Sequence, residues 1–298
     1  MIFLDKVLKS FDGLHALDSV SLHAPGGAVY GLVGPNGAGK TTLIRCLTGV
    51  MRPDSGTITV GRLPVWENPA AKAQMAYIPD DVFYFPAANE DDMARYYRGV
   101  YPNFDSDRWT RLAEAFNLPR KPIRRMSRGM QKQAAFRLAL SLRPTVLVLD
   151  EPVDGLDPVM RRQVWSLVLA DVAEHGTTVL VSSHNLRELE DVCDHVGVMD
   201  RGRLLLERSL SDLQDGVQKV QMAFAEDADT PDLSALDVLH RSHVGRVETL
   251  IIRGEREAVE GALRPMGPVF LDVLPLSLEE IFIYELGGAD YAVKDILL

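Results

Sequence analysis

Eight adjacent residues constrain this chain more than any others: Gly34, Pro35, Asn36, Gly37, Ala38, Gly39, Lys40 and Thr41. They fit G-x-x-x-x-G-K-[ST], a loop that wraps a phosphate group. Ahead of it, residues 28–33 (AVYGLV) form a short, mostly apolar run suited to a buried parallel strand. Behind it, residues 42–47 (TLIRCL) read as a helix. Gly34, Gly37 and Gly39 allow backbone angles at which successive N–H groups converge on phosphate oxygens. The positive end of the following helix faces the same anion. Lys40 would then neutralise β- and γ-phosphates and the Thr41 hydroxyl would hold Mg²⁺, with Pro35, Asn36, Ala38 and Thr42 completing the cradle. A Gly-rich turn before an ordinary helix is the plainer reading, but it leaves the agreement of strand, loop and helix to chance.

At 298 residues the chain has room for one large domain, or one large and one small. A composition of 46% hydrophobic and 25% charged residues is that of an ordinary globular protein. No window approaches the roughly 18 uncharged apolar residues of a membrane span. The acid-containing start, MIFLDKVLKSFDG, does not resemble a secretory signal, so a cytosolic location is expected. Cys46 and Cys193 make neither a disulfide framework nor a metal cluster. The net charge of −10 is unevenly placed. Residues 1–208 hold 25 acids and 25 bases, whereas residues 209–298 hold 17 acids and 7 bases. That asymmetry places a domain boundary near Arg208, and the lack of a strongly basic surface argues against nucleic acid as a partner.

Along the chain, short strands are expected at 1–4 and 19–23, with Phe11 in the turn between them. Phe11 is equally suited to partial burial and to stacking on an adenine ring. Further strands are read at 57–60 and 75–78. A helical insertion, about residues 82–126, then interrupts the core with helices at 89–101 and 105–117. Most of its aromatics (Phe83, Tyr84, Phe85, Tyr96, Tyr97, Tyr101) are expected to pack internally, and some to line a cleft for a partner helix. A helix at 127–142, capped by Ser127, leads into the apolar strand 145–149. A helix at 158–174, a strand at 177–182, a helix at 184–193 and a hairpin around Asp200-Arg201-Gly202 follow. Alternating strands and helices make a mostly parallel α/β core. The acidic remainder reads as small α+β, with strands at 217–225, 247–252 and 269–274, helices at 255–263 and 278–285, and a solvated loop at 226–232.

Asp150 and Glu151 end the apolar strand where phosphate-loop enzymes place metal and water chemistry. Asp150 suits a metal, and Glu151, pointing the other way, suits a general base for an attacking water. An acid pair at a strand end is by itself more often a solvated cap; the upstream loop changes the balance. Four further segments occur in order around it: YIPDD (77–81), MSRGMQKQ (126–133), VDGLDP (153–158) and SSH (182–184).

Together these motifs resemble the ATP-binding cassette (ABC) ATPases, the motor subunits of ABC transporters, across about residues 1–208. The resemblance implies an α/β phosphate-loop NTPase core: a mostly parallel sheet, an antiparallel β region and a helical insertion. It is followed by a small C-terminal α+β domain, residues 209–298. It also implies ATP and Mg²⁺ as cofactors, with Thr41, Asp80 and Asp150 on the metal side, and Glu151 and His184 catalytic. Ser127 and Gly129 would cap the γ-phosphate held by an opposite subunit, a role that suits a helix N-terminus. Asp157 would join the two composite sites and His184 would sense the γ-phosphate.

Two positions depart from the pattern. Asp80 stands where Gln is usual and adds negative charge beside the phosphates, tolerable only if metal offsets it. Arg128 stands where Gly is usual. The tail, notably LSLEEIFI (276–283), resembles an exporter branch carrying a C-terminal appendage. The expected protein is therefore an ATPase subunit that dimerises with itself or with a paralogous ATPase. It would drive a separate integral membrane permease from the cytoplasmic face, in export. The alternative is a soluble or regulatory ABC ATPase without a permease.

Overall fold

The computed structural model describes residues 1–225, 232–274 and 276–281. The chain opens with a long antiparallel hairpin, β1 (Ile2–Phe11) and β2 (Leu14–Ala24), paired from Ile2↔Ala24 to Phe11↔Leu14. Both strands run well beyond the expected short segments, and Phe11 is the last residue of β1 rather than a turn residue. Ile2, Leu4 and Val7 on one strand and Val20, Leu22 and Ala24 on the other are buried, as one-face alternation requires. β3 (Val29–Val33) is buried at every residue, and α1 (Lys40–Leu47) follows the phosphate loop. Next come β4 (Ser55–Val60), the two-residue β5 (Leu63–Pro64), the single-turn α2 (Pro69–Lys72) and β6 (Met75–Ile78). β2, β1, β4 and β5 form one four-stranded sheet in that order.

The insertion supplies α3 (Glu90–Val100) and α4 (Ser106–Ala115), and α5 (Arg128–Ser141) follows it. Each begins at a residue whose side chain accepts a backbone N–H: Asn89, Asp105 and Ser127. Their apolar faces meet in a core of Tyr84, Met93, Ala94, Trp109, Ile123, Met126 and Leu138. Only Tyr84 of the six aromatics is buried; Tyr97 and Tyr101 are half-buried, and Phe83, Phe85 and Tyr96 face solvent. Trp109, Met93 and Leu138 fill the interior that the aromatics were expected to fill.

β7 (Val146–Asp150), α6 (Pro158–His175), β8 (Thr178–Ser183), α7 (Arg187–Glu190), β9 (His195–Asp200) and β10 (Arg203–Ser209) complete the core. The central sheet has the order β10-β9-β3-β8-β7-β6. β3 runs parallel to β8 and β9, and β7 parallel to β6 and β8. The register sets Val33 beside Ser183, Asp150 beside Ser182 and Leu149 beside Ile78. One edge of the sheet therefore gathers the segments that follow β3, β6, β7 and β8, which is where open α/β sheets bind ligands. α7 is far shorter than the helix expected at 184–193. The Asn185 side chain accepts the Arg187 N–H and delays the helix, and Asp194 accepts the Val29 N–H at 2.7 Å, drawing the chain into β9.

The chain divides into two units: Met1–His184 with Val192–Glu207, and Asn185–Asp191 with the described residues of Arg208–Leu298. The second contains α8 (Leu210–Asp215), β11 (Val217–Ala223), β12 (Asp237–Val244), β13 (Val247–Arg253), α9 (Arg256–Leu263) and β14 (Phe270–Leu274). The sheet order is β12-β13-β11-β14, and Val259 and Leu263 of α9 pack on Val220, Met222, Leu250 and Ile252. β12 has no counterpart among the expected strands. It is an edge strand, exposed from His240 to Val244, and so carries no apolar alternation to read. Most of the expected loop at 226–232 and the end of the helix at 278–285, including Phe282 and Ile283 of the LSLEEIFI segment, lie outside the described residues.

Candidate active site

α1 starts directly at Lys40, with Gly39 as its N-cap and no side chain capping its first turn. The opening N–H groups of the helix are thus left to an anion. Gly39 is required by space as well as by angle. Its φ is +105°, and a Cβ there would stand 2.5 Å from the Ala16 carbonyl oxygen. Residues 35–42 line a cavity of about 510 Å³ together with Asp80, Glu151, Leu14, His15, Ala16, Arg201 and Gly202.

Lys40 is buried at the floor, its Nζ donating to the Gly34 carbonyl at 2.5 Å and the Pro35 carbonyl at 3.3 Å. The same nitrogen lies 3.6 Å from Glu151 Oε1. Burial pulls the Lys40 ammonium below its usual value, against the opposing pull of Glu151 and Asp150. Glu151 is only 13% exposed as a side chain, and its second oxygen meets His184 Nδ1 at 3.0 Å and the His184 backbone N–H at 3.4 Å. Burial raises the Glu151 carboxyl above the ordinary glutamate value, while Lys40 and His184 hold it down. A base moved toward neutrality is what proton abstraction from water near neutral pH calls for.

Asp150 is buried at the end of β7, and its Oδ1 accepts the Ser182 hydroxyl at 2.6 Å. Its Oδ2 is buried without a hydrogen-bond partner among the described residues. An orphaned carboxylate oxygen at this depth costs free energy unless a water or cation satisfies it. With Thr41 and Asp80 lining the adjacent cavity, this all-oxygen donor set fits Mg²⁺.

The remaining expected residues are placed differently. Ser127 caps α5, accepting the Met130 N–H at 3.3 Å, and neither Ser127 nor Gly129 lines the cavity. A Cβ at Gly129 would stand 2.8 Å from the Gly155 carbonyl oxygen, so the start of α5 rests against the loop that follows Glu151. Asp157 caps α6 by accepting the Val159 and Met160 N–H groups, each at 3.0 Å. Arg128 is 76% exposed and lies 3.5 Å from Asp81, so a side chain is accommodated where Gly is usual. Phe11 is 43% exposed with Lys9 Nζ 5.5 Å from its ring centroid, and it does not line the cavity. The hairpin residues just beyond it, Leu14, His15 and Ala16, do. These and Arg201 carried no chemical motif; only the expected turn at 200–202 pointed toward Arg201.

A parallel sheet with a glycine-lysine loop and an acid pair at its strand ends defines a phosphate-loop nucleoside triphosphatase. Residues 17–154 match the profile of the ABC transporter family. The chain is 32% identical to the ABC transporter ATP-binding protein YtrB of Bacillus subtilis (strain 168), over 97% of this chain and 99% of that protein. It is 30% identical to the daunorubicin resistance ATP-binding protein DrrA3 of Streptomyces coeruleorubidus, over 99% and 98% respectively. A solved ATP-binding subunit of an ABC transporter superposes with a TM-score of 0.67 at 25% identity, covering 72% of this chain and 92% of that one. The chain belongs to the ATP-binding proteins of ABC transporters, and it is an ATPase subunit of that family.

Proposed function

We propose that this subunit holds the triphosphate of ATP on residues 34–42, with Lys40 turning from its own carbonyls to the β- and γ-phosphates. Glu151 orients a water toward the γ-phosphorus and takes its proton as the new P–O bond forms and ADP leaves. His184 holds the Glu151 carboxylate and faces the γ-phosphate. Thr41, Asp150 and Asp80 would hold Mg²⁺, which when bound offsets charge on the phosphates. Phe11, 43% exposed at the hairpin end next to the cavity-lining Leu14 and His15, would stack on the base. The observation that carries this reading is the Glu151 carboxylate, set between Lys40 at 3.6 Å and His184 at 3.0 Å beside the phosphate loop.

The site is completed by a second copy or a paralogous ATPase. Ser127 and Gly129 lie outside their own chain's cavity, at an exposed helix start suited to a partner's γ-phosphate, and Asp157 would tie the two composite sites together across the dimer. A cleft of about 330 Å³, lined by Phe83, Tyr84, Tyr97, Tyr101, Ala135 and Leu138 among others, lies where the insertion meets the core. It suits the apolar face of a permease helix, and among the described residues no helix is long and apolar enough to cross a membrane. The protein thus acts at the inner face of the membrane through that permease. Export is favoured by the likeness to DrrA3, whose name records drug resistance. Glu151→Gln in the purified chain should lower ATP hydrolysis by about 10²–10⁴-fold and let ATP drive a lasting dimer in light scattering. Wild-type turnover by this variant overturns the assignment.

A further inference from the structure

Lys132 takes no part in the site described so far, yet its side chain is only 2% exposed. Lys40 and Lys132 are the two buried lysines among the described residues. An ammonium withdrawn from water is heavily disfavoured unless it finds charged or strongly accepting partners. The Lys132 partners are both residues of the hydrolytic centre. Its Nζ donates to the Glu151 backbone carbonyl and lies 3.3 Å from Asp80 Oδ1.

The contact with Glu151 falls on a strained peptide. Glu151 has φ +45°, in the left-handed region that side chains disfavour. Its N–H is held by the Ser182 carbonyl at 3.3 Å and the Ser182 hydroxyl at 3.2 Å. Lys132 holds its carbonyl. With both ends of the residue pinned, the Cα–Cβ bond leaves a fixed peptide, from which the carboxylate reaches Lys40 and His184. The contact with Asp80 solves a second problem. Asp80 is half-exposed and lines the phosphate cavity, where a carboxylate and a triphosphate repel each other. Lys132 supplies the opposite charge from the protein side, whether or not metal is bound.

The geometry points to Lys132 as a positioning residue that fixes the kinked peptide of the base and balances the charge of Asp80. It rests on the assignment of Glu151 and Asp80 to the hydrolytic side of the cavity. Lys132 sits on α5, five residues from Ser127, so the helix that presents Ser127 also holds the base of its own chain. An ordinary buried lysine would stabilise the fold without bearing on turnover.

The test is a double-mutant cycle on the full chain, read as kcat and KM for ATP hydrolysis. Lys132→Gln and Asp80→Gln should each lower kcat by about tenfold with a smaller change in KM, because each leaves an unbalanced charge beside the base. The double variant replaces the ion pair with two amides and should lose less than the product of the two single losses, the remaining loss reporting the missing hold on the Glu151 carbonyl. Costs that simply multiply in the double variant overturn the proposal. Gln keeps an amide oxygen for the Lys132 ammonium, and circular dichroism checks that Asp80→Gln is folded at the assay temperature; an unchanged kcat in that variant alone also overturns the proposal. Glu151→Gln separates the two readings. Wild-type turnover by that variant removes the base assignment, whereas lost turnover with an additive cycle removes only the role of Lys132.

Discussion

Removing one partner of the Arg108–Asp171 pair tests how the helical insertion is held to the nucleotide core. Arg108 on α4 places its Nη2 2.5 Å from Asp171 Oδ1 on α6, with side chains 10% and 4% exposed. At that burial water screens little, and the magnitude is set by the charge left behind. Asp171→Ala strands a buried guanidinium and should cost about 3–5 kcal/mol. By contrast, the Arg95–Asp92 pair on α3, 74% and 41% exposed, belongs to a class worth under about 1 kcal/mol. For a domain of this size each kcal/mol moves the melting midpoint by about 2–4 °C, so Asp171→Ala should lower it by about 6–20 °C. The paired replacement Arg108→Met with Asp171→Leu leaves no charge unpaired and should return to within about 1 kcal/mol of the parent, or exceed it. Thermal unfolding by circular dichroism compares the parent with both variants. ATP affinity should be preserved wherever the variant is folded, since neither α4 nor α6 contributes a residue to the phosphate cavity. A midpoint for Asp171→Ala within about 2 °C of the parent, or a double variant no better than Asp171→Ala, refutes the argument.

Gly39→Ala should weaken ATP binding at least tenfold, about 1.4 kcal/mol, because its Cβ meets the Ala16 carbonyl and its φ is left-handed; a titration with unaltered affinity would contradict the steric reading. The pH profile of hydrolysis should report Glu151. Its raised carboxyl must be ionised to accept a proton, so activity falls as pH drops through that value. His184 holds the value down, so His184→Ala should move the acid limb of kcat/KM to higher pH, and a limb moving lower would reverse the assigned sign. Phe83→Glu alters a residue that is 77% exposed on the cleft and absent from the cavity lining. It should leave hydrolysis by the isolated chain within about twofold while reducing co-purification with the membrane component; equal recovery would remove the cleft as the docking surface.

What could be read directly from the residues was local. The phosphate loop is a run of eight neighbours whose conformation is set by glycine freedom and the helix that follows, so its chemistry shows without knowledge of the rest. The cap at Ser127 behaves the same way, because it and the Met130 N–H it accepts are three residues apart. β12 was invisible because an exposed edge strand has no buried face to pattern its sequence. The aromatics of the insertion announced an interior but not its members, since nothing along the chain says that Trp109 faces in and Phe83 out.

The order β10-β9-β3-β8-β7-β6 belongs to the tertiary structure, because parallel pairing joins strands that are far apart along the chain. That order brings the ends of β3, β6, β7 and β8 together, and with them Lys40, Asp80, Glu151 and His184. Asp80 shows the division most clearly. From the sequence its charge could be balanced only by a metal, whereas the fold carries Lys132 on α5, 52 residues further along, to within 3.3 Å of it. Charge balance is a matter of distance in space, and only the packed chain sets that distance.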